Sequence, residues 1–361
     1  MRVAIIHDSL VEFGGAERVL LALLNIFPGA AVYTAYAENE FVKQFFPMVT
    51  PSQFHVSWVQ NTQIVTHWSL LQSLSPLVWR SFNLESYDVV ISATSYLAAN
   101  MVRVEKPVHI QYIQSLPKNL YKLESPFMLQ KILPYGPVVR YFFQHALAHS
   151  RYILTNSRHM QKTLIHFCGI NSRVIYPAVN VPVSLPKRKK GKYYLCVTRI
   201  DRTKSIEISI EACNLLKLPL KIIGVTNDPP YERYVRSLAG PTIEFLGFLP
   251  DEEIAKIYQS AIAFLFSSKN EDFGIAPVEA MAHGVPVIAY CGGGATDTVI
   301  PGKTGFFFNE HTVSSLVTVL KKFDPTIFSS IVLYKHAKQY SKERFHHQIE
   351  ACVSMALSHK V

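Results

Sequence analysis

The stretch Glu271-Asp272-Phe273-Gly274-Ile275-Ala276-Pro277-Val278-Glu279-Ala280-Met281-Ala282-His283-Gly284-Val285-Pro286-Val287-Ile288-Ala289 sets two glutamates eight positions apart around a Phe-Gly turn and ends in a buried-strand pattern. Eight residues cover a little over two helical turns, so Glu279 falls on a short helix and Glu271 in the loop that feeds its N-terminus. Free N–H groups at such a terminus attract hydroxyls and anions, and a carboxylate accepting two hydrogen bonds is how nucleotide sites hold a ribose diol. The run therefore points to a sugar-nucleotide site. A plainer account has Glu271 and Asp272 offsetting the helix dipole and Glu279 as a solvated helix residue. The conjunction of glutamate pair, Phe-Gly turn, helix and strand in one run favours the site.

Outward from this segment the chain alternates between β-branched apolar runs and helical stripes. Val3 to His7 reads as a strand, Gly14-Gly15 breaks it, and Glu17 to Phe27 carries an apolar helical stripe. Strand-like runs follow at Ala31 to Thr34, Val89 to Ser92, His109 to Ile113 and Tyr152 to Asn156. A second series comprises Tyr193 to Val197, Leu220 to Ile223, Ile243 to Leu246, Ala263 to Phe266 and Val285 to Ala289. Such alternation predicts parallel sheets with helices on both faces. Between the two series, Pro182-Val183-Ser184-Leu185-Pro186-Lys187-Arg188-Lys189-Lys190-Gly191 reads as a linker. A chain of 361 residues is comfortable for two domains, each with its own core.

Hydrophobic residues make up 49% and charged residues 17%, the composition of an ordered globular protein. Cys168, Cys196, Cys213, Cys291 and Cys352 are scattered without C-x-x-C spacing, which suggests neither a disulfide framework nor a zinc site and fits a reducing cytoplasm. The first apolar run is too short for a signal peptide, and no stretch nears the roughly 20 apolar residues that span a bilayer. The expectation is a cytoplasmic protein, soluble or peripheral on the inner face of the cell membrane. Net charge is +10, and residues 100 to 175 hold ten Lys and Arg against two Glu, interleaved with Tyr121, Phe127, Tyr135, Tyr141, Phe142 and Phe143. Basic residues mixed with aromatics suit an anionic membrane surface or a diphosphate-lipid acceptor as well as RNA. No RNA- or DNA-binding signature accompanies them, so no nucleic acid is expected and a membrane is the better reading, beside a merely solvated basic face.

Two more loops carry candidate chemistry. At Gly14-Gly15 the lack of Cβ atoms lets backbone N–H groups approach a phosphate or sugar oxygen. The turn lacks G-x-G-x-x-G spacing, which counts against an NAD enzyme. Arg199 and Lys204, in the loop after Tyr193 to Val197, can straddle a diphosphate, Arg as a bidentate donor and Lys as a point charge; the plain alternative is surface charge. No Asp-x-Asp occurs, so no metal site is expected, and Asp251-Glu252-Glu253 reads as a helix start. Leaving-group charge then falls to Arg199, Lys204 and backbone donors.

The Glu271 to Glu279 run, continued by Cys291-Gly292-Gly293-Gly294-Ala295-Thr296-Asp297-Thr298-Val299-Ile300 and the Gly-bounded turn Gly302-Lys303-Thr304-Gly305-Phe306, resembles the Glu-x7-Glu motif of retaining glycosyltransferases of family 4. The likeness covers most of the chain. It implies the GT-B fold, an α/β architecture of two Rossmann-like parallel-sheet domains facing a central cleft. Residues 1–183 would be the acceptor-side domain, with the helix in 341–361 returning to it, and residues 184–340 the donor domain. The resemblance implies that Glu279 binds the donor ribose, and that Glu271 with the Phe273-Gly274-Ile275 backbone binds the sugar hydroxyls. It implies that Arg199 and Lys204 hold the diphosphate, assisted by the loop of Gly14 and Gly15. Where the family carries a sugar-contacting His in a Tyr-x-His-Thr-Pro context, this chain reads Tyr112-Ile113-Gln114-Ser115-Leu116-Pro117, so Gln114 takes that position. His109 is a second candidate, although a His inside a strand is more often a packed residue. Ser205 stands where the family places Gly. Asn156-Ser157-Arg158 matches a further family segment, with a helix cap as the alternative.

Within that family the chain is most similar to bacterial surface-polysaccharide enzymes that include mannosyltransferases. The implied activity is metal-independent, retaining transfer of a hexose, mannose from GDP-mannose, to a glycan or polyprenyl-diphosphate-linked acceptor in polysaccharide or lipopolysaccharide synthesis. No cofactor is implied beyond the nucleotide-sugar substrate. The alternative is a nucleotide-sugar or nucleic-acid binder that keeps the fold without turnover.

Overall fold

The computed structural model describes residues 1–121, 123 and 135–359. Lys122, Glu124, Phe127 and Lys131 of the basic, aromatic segment lie outside the described residues. The chain forms two compact units, Met1–Ala178 together with the chain from Glu343 onward, and Val179–Lys342. The divisions differ from 183/184 and 340/341 by a few residues because Val179 donates its N–H to the Tyr340 carbonyl at 2.9 Å and bridges to Ser341. The proline- and lysine-rich run after it is not a free linker. Arg188 donates to the carbonyls of Tyr258 and Ala261, and the Lys189 N–H donates to the Gln259 carbonyl at 2.8 Å, which fastens the run to the second unit.

In the first unit the strands are β1 (Val3–His7), β2 (Ala31–Thr34), β3 (Phe54–Val56), β4 (Val89–Thr94), β5 (Val108–Ile113), β6 (Tyr152–Thr155) and β7 (Arg173–Val174). They pair in parallel in the order β3-β2-β1-β4-β5-β6-β7. All five residues of β1 are buried, which explains its continuous apolar run: both faces of the sheet are covered. One face packs on Val19, Leu20, Leu23 and Leu24 of helix Gly15–Ile26 and on Phe345, Ile349 and Val353 of helix Lys342–Ser358. Burial of those last three side chains contributes roughly 1.5–3 kcal/mol each, enough to hold the C-terminal helix on this unit. The other face packs on Trp79, Leu97, Val139, Phe143 and Leu147.

The second unit holds β8 (Tyr193–Val197), β9 (Leu220–Ile223), β10 (Ile243–Gly247), β11 (Ala261–Phe266), β12 (Val287–Tyr290) and β13 (Gly305–Phe308), parallel in the order β10-β9-β8-β11-β12-β13. Gly305-Phe306, expected in a turn, opens β13 instead. Its register against β12, Val287 to Gly305 through Tyr290 to Phe308, is a long-range pairing that the leading glycine disguises. The short strands β3 and β7 likewise escape the periodicity.

Both sheets reverse direction beside their first strand. β1 lies between β2 and β4, and β8 lies between β9 and β11. Connections from two neighbouring strands there leave in opposite directions, which opens a crevice above the strands' carboxyl ends where open α/β sheets bind ligands.

Candidate active site

In the second unit the crevice is bounded by the loops after β8 and β11. The first carries Arg199 and Lys204, the second Glu271. Lys204 Nζ lies 2.5 Å from Glu271 Oε2, with the two side chains 16% and 24% exposed. That ion pair joins the two loops across the topological reversal. Arg199 is more open, at 42% exposure, and its Nε stands 3.6 Å from Asp201 Oδ2.

Serines fix the loops to each other. The Ser267 hydroxyl donates to the Ser205 carbonyl at 2.8 Å, and the Ser268 hydroxyl reaches the Thr203 carbonyl at 3.2 Å and Glu271 Oε2 at 3.3 Å. His311 Nε2 meets the Ser267 carbonyl at 2.9 Å. Asp201 Oδ1 accepts the Thr203 N–H at 2.9 Å and starts the turn that carries Lys204. Ser205 sits in the left-handed region at φ 50, ψ 42, a conformation that glycine adopts without strain. Holding a serine in that region costs about 1 kcal/mol.

Glu279 lies on helix Ile275–Ala282, which Gly274 begins at φ +84. Phe273 is 3% exposed, with its ring 5.7 Å from that of Tyr340, so its side chain belongs to the core. The triple-glycine turn is explained by close approach. A Cβ on Gly294 would lie 2.3 Å from Phe273 Cα, and the Gly294 N–H donates to the Glu271 carbonyl at 2.7 Å. These glycines support the Glu271 loop from below.

In the first unit, Gly14 caps helix Gly15–Ile26 at the same topological position. Its N–H is already committed: Glu17 Oε2 accepts it at 2.8 Å, while Glu17 Oε1 stands 3.0 Å from His7 Nε2. Asp8, 4% exposed, accepts the N–H groups of Ser95, Leu97 and Ala99 and the Ser95 hydroxyl at 2.7–3.1 Å. It ties the loop after β1 to the loop after β4. Burial pushes the Asp8 carboxyl up from its ordinary value, against the opposing pull of those hydrogen bonds and of His7.

Gln114 follows β5 at the ligand end of the sheet. Its N–H donates to the Thr94 carbonyl and its carbonyl accepts from Asn156 Nδ2, both at 2.8 Å. Its side-chain Nε2 is buried without a hydrogen-bond partner among the described residues, as are Thr94 Oγ1 and His7 Nδ1. His109 does not join it. His109 pairs with Val90, four residues short of the end where Thr94 faces Ile113, roughly 13 Å along the strand. Its Nε2 meets Ser92 Oγ at 2.9 Å, and burial lowers its pKa to about 4. His109 is thus half-buried beside Ser92 and does not stand with Gln114 at the carboxyl end of β5. Ser157 caps helix Arg158–Cys168, its hydroxyl accepting the Met160 N–H at 2.9 Å.

Sequence reasoning missed Asp8, Glu17, Ser267, Ser268 and His311. Glu17 alone left a local signal, standing three residues after the cap position where a glutamate closes a capping box. Among the described residues no cluster of three or more His, Cys, Asp or Glu is placed to hold a metal ion. No described helix is long and apolar enough to cross a membrane.

Residues 180–324, within the second unit, match the family described as glycosyl transferases group 1. Two parallel-sheet α/β units of this topology have the GT-B fold, and the chain superimposes on the Anabaena protein Alr3699/HepE, solved with UDP and glucose, at TM-score 0.73 and 19% identity over 98% of this chain and 99% of that one. Among sequence relatives, the Arabidopsis thaliana sulfoquinovosyl transferase SQD2 is 37% identical over 35% of this chain and 25% of its own length. The α-1,3/1,6-mannosyltransferase ALG2 of Kluyveromyces lactis is 25% identical over 83% of this chain and 71% of its own length. The chain thus spans about a quarter of the length of that first relative.

Proposed function

We propose that this chain is a retaining glycosyltransferase that moves a hexose, mannose from GDP-mannose, to a hydroxyl of a glycan or lipid-linked saccharide without a metal ion. The observation that carries the reading is the Lys204–Glu271 pair across the crevice of the second unit. It puts a cation for phosphate beside a carboxylate for sugar hydroxyls, in a domain that matches the glycosyltransferase family. Arg199 and Lys204 hold the diphosphate and stabilise the charge that develops as the bond from the sugar's C1 to the phosphate oxygen breaks. Glu271 and the backbone at Phe273 to Ile275 hold the sugar; Glu279 holds the ribose. The acceptor oxygen bonds to C1 on the face the phosphate leaves, and the acceptor proton passes to the departing phosphate. In the first unit, Gln114 is the sugar-facing amide.

A panel of GDP-, UDP- and ADP-sugars, screened for protection against heat unfolding with and without EDTA, tests this reading. GDP-mannose should raise the melting temperature most, EDTA should change nothing, and the product anomer should keep the donor's configuration. Protection that requires added manganese would sink the metal-independent reading, and protection by no nucleotide sugar would sink the activity. The reading also places the chain against the inner membrane surface, where lipid-linked acceptors lie. Salt-dependent co-sedimentation with anionic vesicles would support that location; no co-sedimentation at low salt would remove it.

A further inference from the structure

We propose that the first unit holds a binding site away from its crevice that takes an amphiphilic anion, with the acidic head on Arg151 and Arg173 and the apolar body in the cavity beside them. The inference does not depend on the glycosyltransferase reading. The cavity, of about 470 Å³, lies between residues 150–154 and 170–173, beside the amino ends of β6 and β7. That is the end of the sheet opposite to the crevice. Its origin is in the sheet edge. β7 has two residues, which pair with Leu154 and Thr155. Among the described residues, β6 at Tyr152 and Ile153 therefore has no strand on its outer flank, and the cavity sits at that gap. Both cores reach it: Leu147 and Ile153 belong to one face of the sheet, Leu154 and Cys352 to the other. Met355, 40% exposed, adds an adaptable apolar wall from the C-terminal helix.

The polar part of the lining is basic. Arg151 and Arg173 are both exposed, and neither makes a hydrogen bond or an ion pair among the described residues. No Asp or Glu among the described residues lines the cavity. Burial raises the Cys352 thiol above its ordinary value and Arg173 pulls it the other way, so the Arg173 charge is felt at the apolar wall. The hydroxyls of Ser150 and Ser172 are already engaged, with the His109 carbonyl at 3.2 Å and Thr155 Oγ1 at 3.1 Å, which leaves the charge of a ligand to the arginines. Guanidiniums with available donors hold a phosphate or carboxylate through paired N–H groups. A cavity of this size, mostly apolar with a few polar groups, is the usual form of a small-molecule site. A sugar would set its hydroxyls against the apolar walls, and an aliphatic alcohol would leave both charges unused. An acidic head on an aliphatic body satisfies the two together.

Methyl spectra of protein labelled at methionine test the site, because the chain has seven methionines and Met355→Leu identifies the one on the cavity wall. Decyl phosphate, kept below its micellar concentration, should move the Met355 methyl saturably. Decanol, which lacks the charge, and inorganic phosphate, which lacks the body, should each bind more weakly by roughly ten-fold or more. Joint substitution Arg151→Gln and Arg173→Gln, at exposed positions outside the core, should weaken decyl phosphate by roughly ten-fold or more. No saturable movement of Met355, or a response that decanol or the double variant reproduces in full, overturns the proposal. Vesicles with and without phosphatidic acid then assign the source of the head group. Co-sedimentation that requires phosphatidic acid and is lost in the double variant places it on a membrane lipid; co-sedimentation absent, or equal in both proteins, leaves a soluble anionic amphiphile as the ligand. GDP-mannose addresses the second unit, so its failure to protect against unfolding leaves this result standing.

Discussion

At the carboxyl end of β1 the crevice loop is organised by Asp8 and Glu17, whose carboxylates are occupied by backbone N–H groups, the Ser95 hydroxyl and the His7 ring. At the carboxyl end of β8, the corresponding place in a sheet of the same order, the loop offers Arg199 and Lys204, and Lys204 pairs with Glu271 from the loop after β11. The shared order β3-β2-β1-β4 and β10-β9-β8-β11 explains why both units have a crevice there. It says nothing about what enters. That is settled by a few loop side chains, and the contrast between the two loops is the property most worth testing.

The largest effect is expected at Lys204. Lys204→Ala removes the cation proposed to face phosphate together with its ion pair to Glu271, so kcat should fall by roughly 100- to 1000-fold. A loss under ten-fold in initial-rate measurements would mean that the ionic crevice of the second unit does not carry the leaving group.

The two glutamates should separate next. Glu279 is assigned to the ribose, which changes little during reaction, so Glu279→Gln should weaken binding of donor and free nucleotide alike by about ten- to a hundred-fold. Glu271→Gln should lower turnover by a similar factor and leave nucleoside diphosphate affinity intact or improved, because Lys204 loses its competitor for phosphate. Calorimetric titration of GDP into both variants beside initial rates checks this; nucleotide binding lost in Glu271→Gln and kept in Glu279→Gln would reverse the roles.

A third expectation concerns the stability of the first unit alone. The ring of His109 takes a proton near pH 6.5 in an unfolded chain but only near pH 4 in the fold. Its contribution to stability is therefore complete above about pH 6.5 and is lost as pH falls through 4. Between pH 7 and 4.5 the natural protein should lose about 1–2 kcal/mol more than His109→Gln, allowing for the partial exposure of the ring. Urea unfolding at both values measures it, and equal losses would remove His109 as the cause.

The smallest effect lies in the β8 loop. Ser205→Gly relieves a left-handed non-glycine residue, offset by the greater freedom of glycine in the unfolded chain, for a net gain of about 0.5 kcal/mol. A loss of stability on that substitution would show that the Ser205 side chain, with its contact to the Arg202 carbonyl, outweighs the strain.

Local order was largely written in the chain. Runs such as Val3 to His7 and Tyr193 to Val197 are strands because continuous apolar segments suit a sheet covered on both faces, and periodicity reports this without knowing the partner. The Glu271 to Glu279 run was legible for a similar reason, since a loop, a glycine and an eight-residue helix are consecutive in sequence. Long-range relations were not legible. Nothing adjacent to Lys204 announces Glu271, 67 positions away, as its partner. The role of Gly293 and Gly294 in supporting that loop depends on a backbone approach between segments some twenty residues apart.

The same divide runs through the glycine turn of the first unit. Gly14, Gly15 and Glu17 were all visible in the sequence, and the turn between a strand and a helix followed from them. Whether that turn presents an open N–H or a filled one depended on where the Glu17 side chain goes. Helix geometry brings an N3 glutamate back over the cap, but only the packing of β1 places the His7 ring 3.0 Å from its second oxygen and fixes it there. Residue type and spacing decide which groups are available; the fold decides which of them have already found each other.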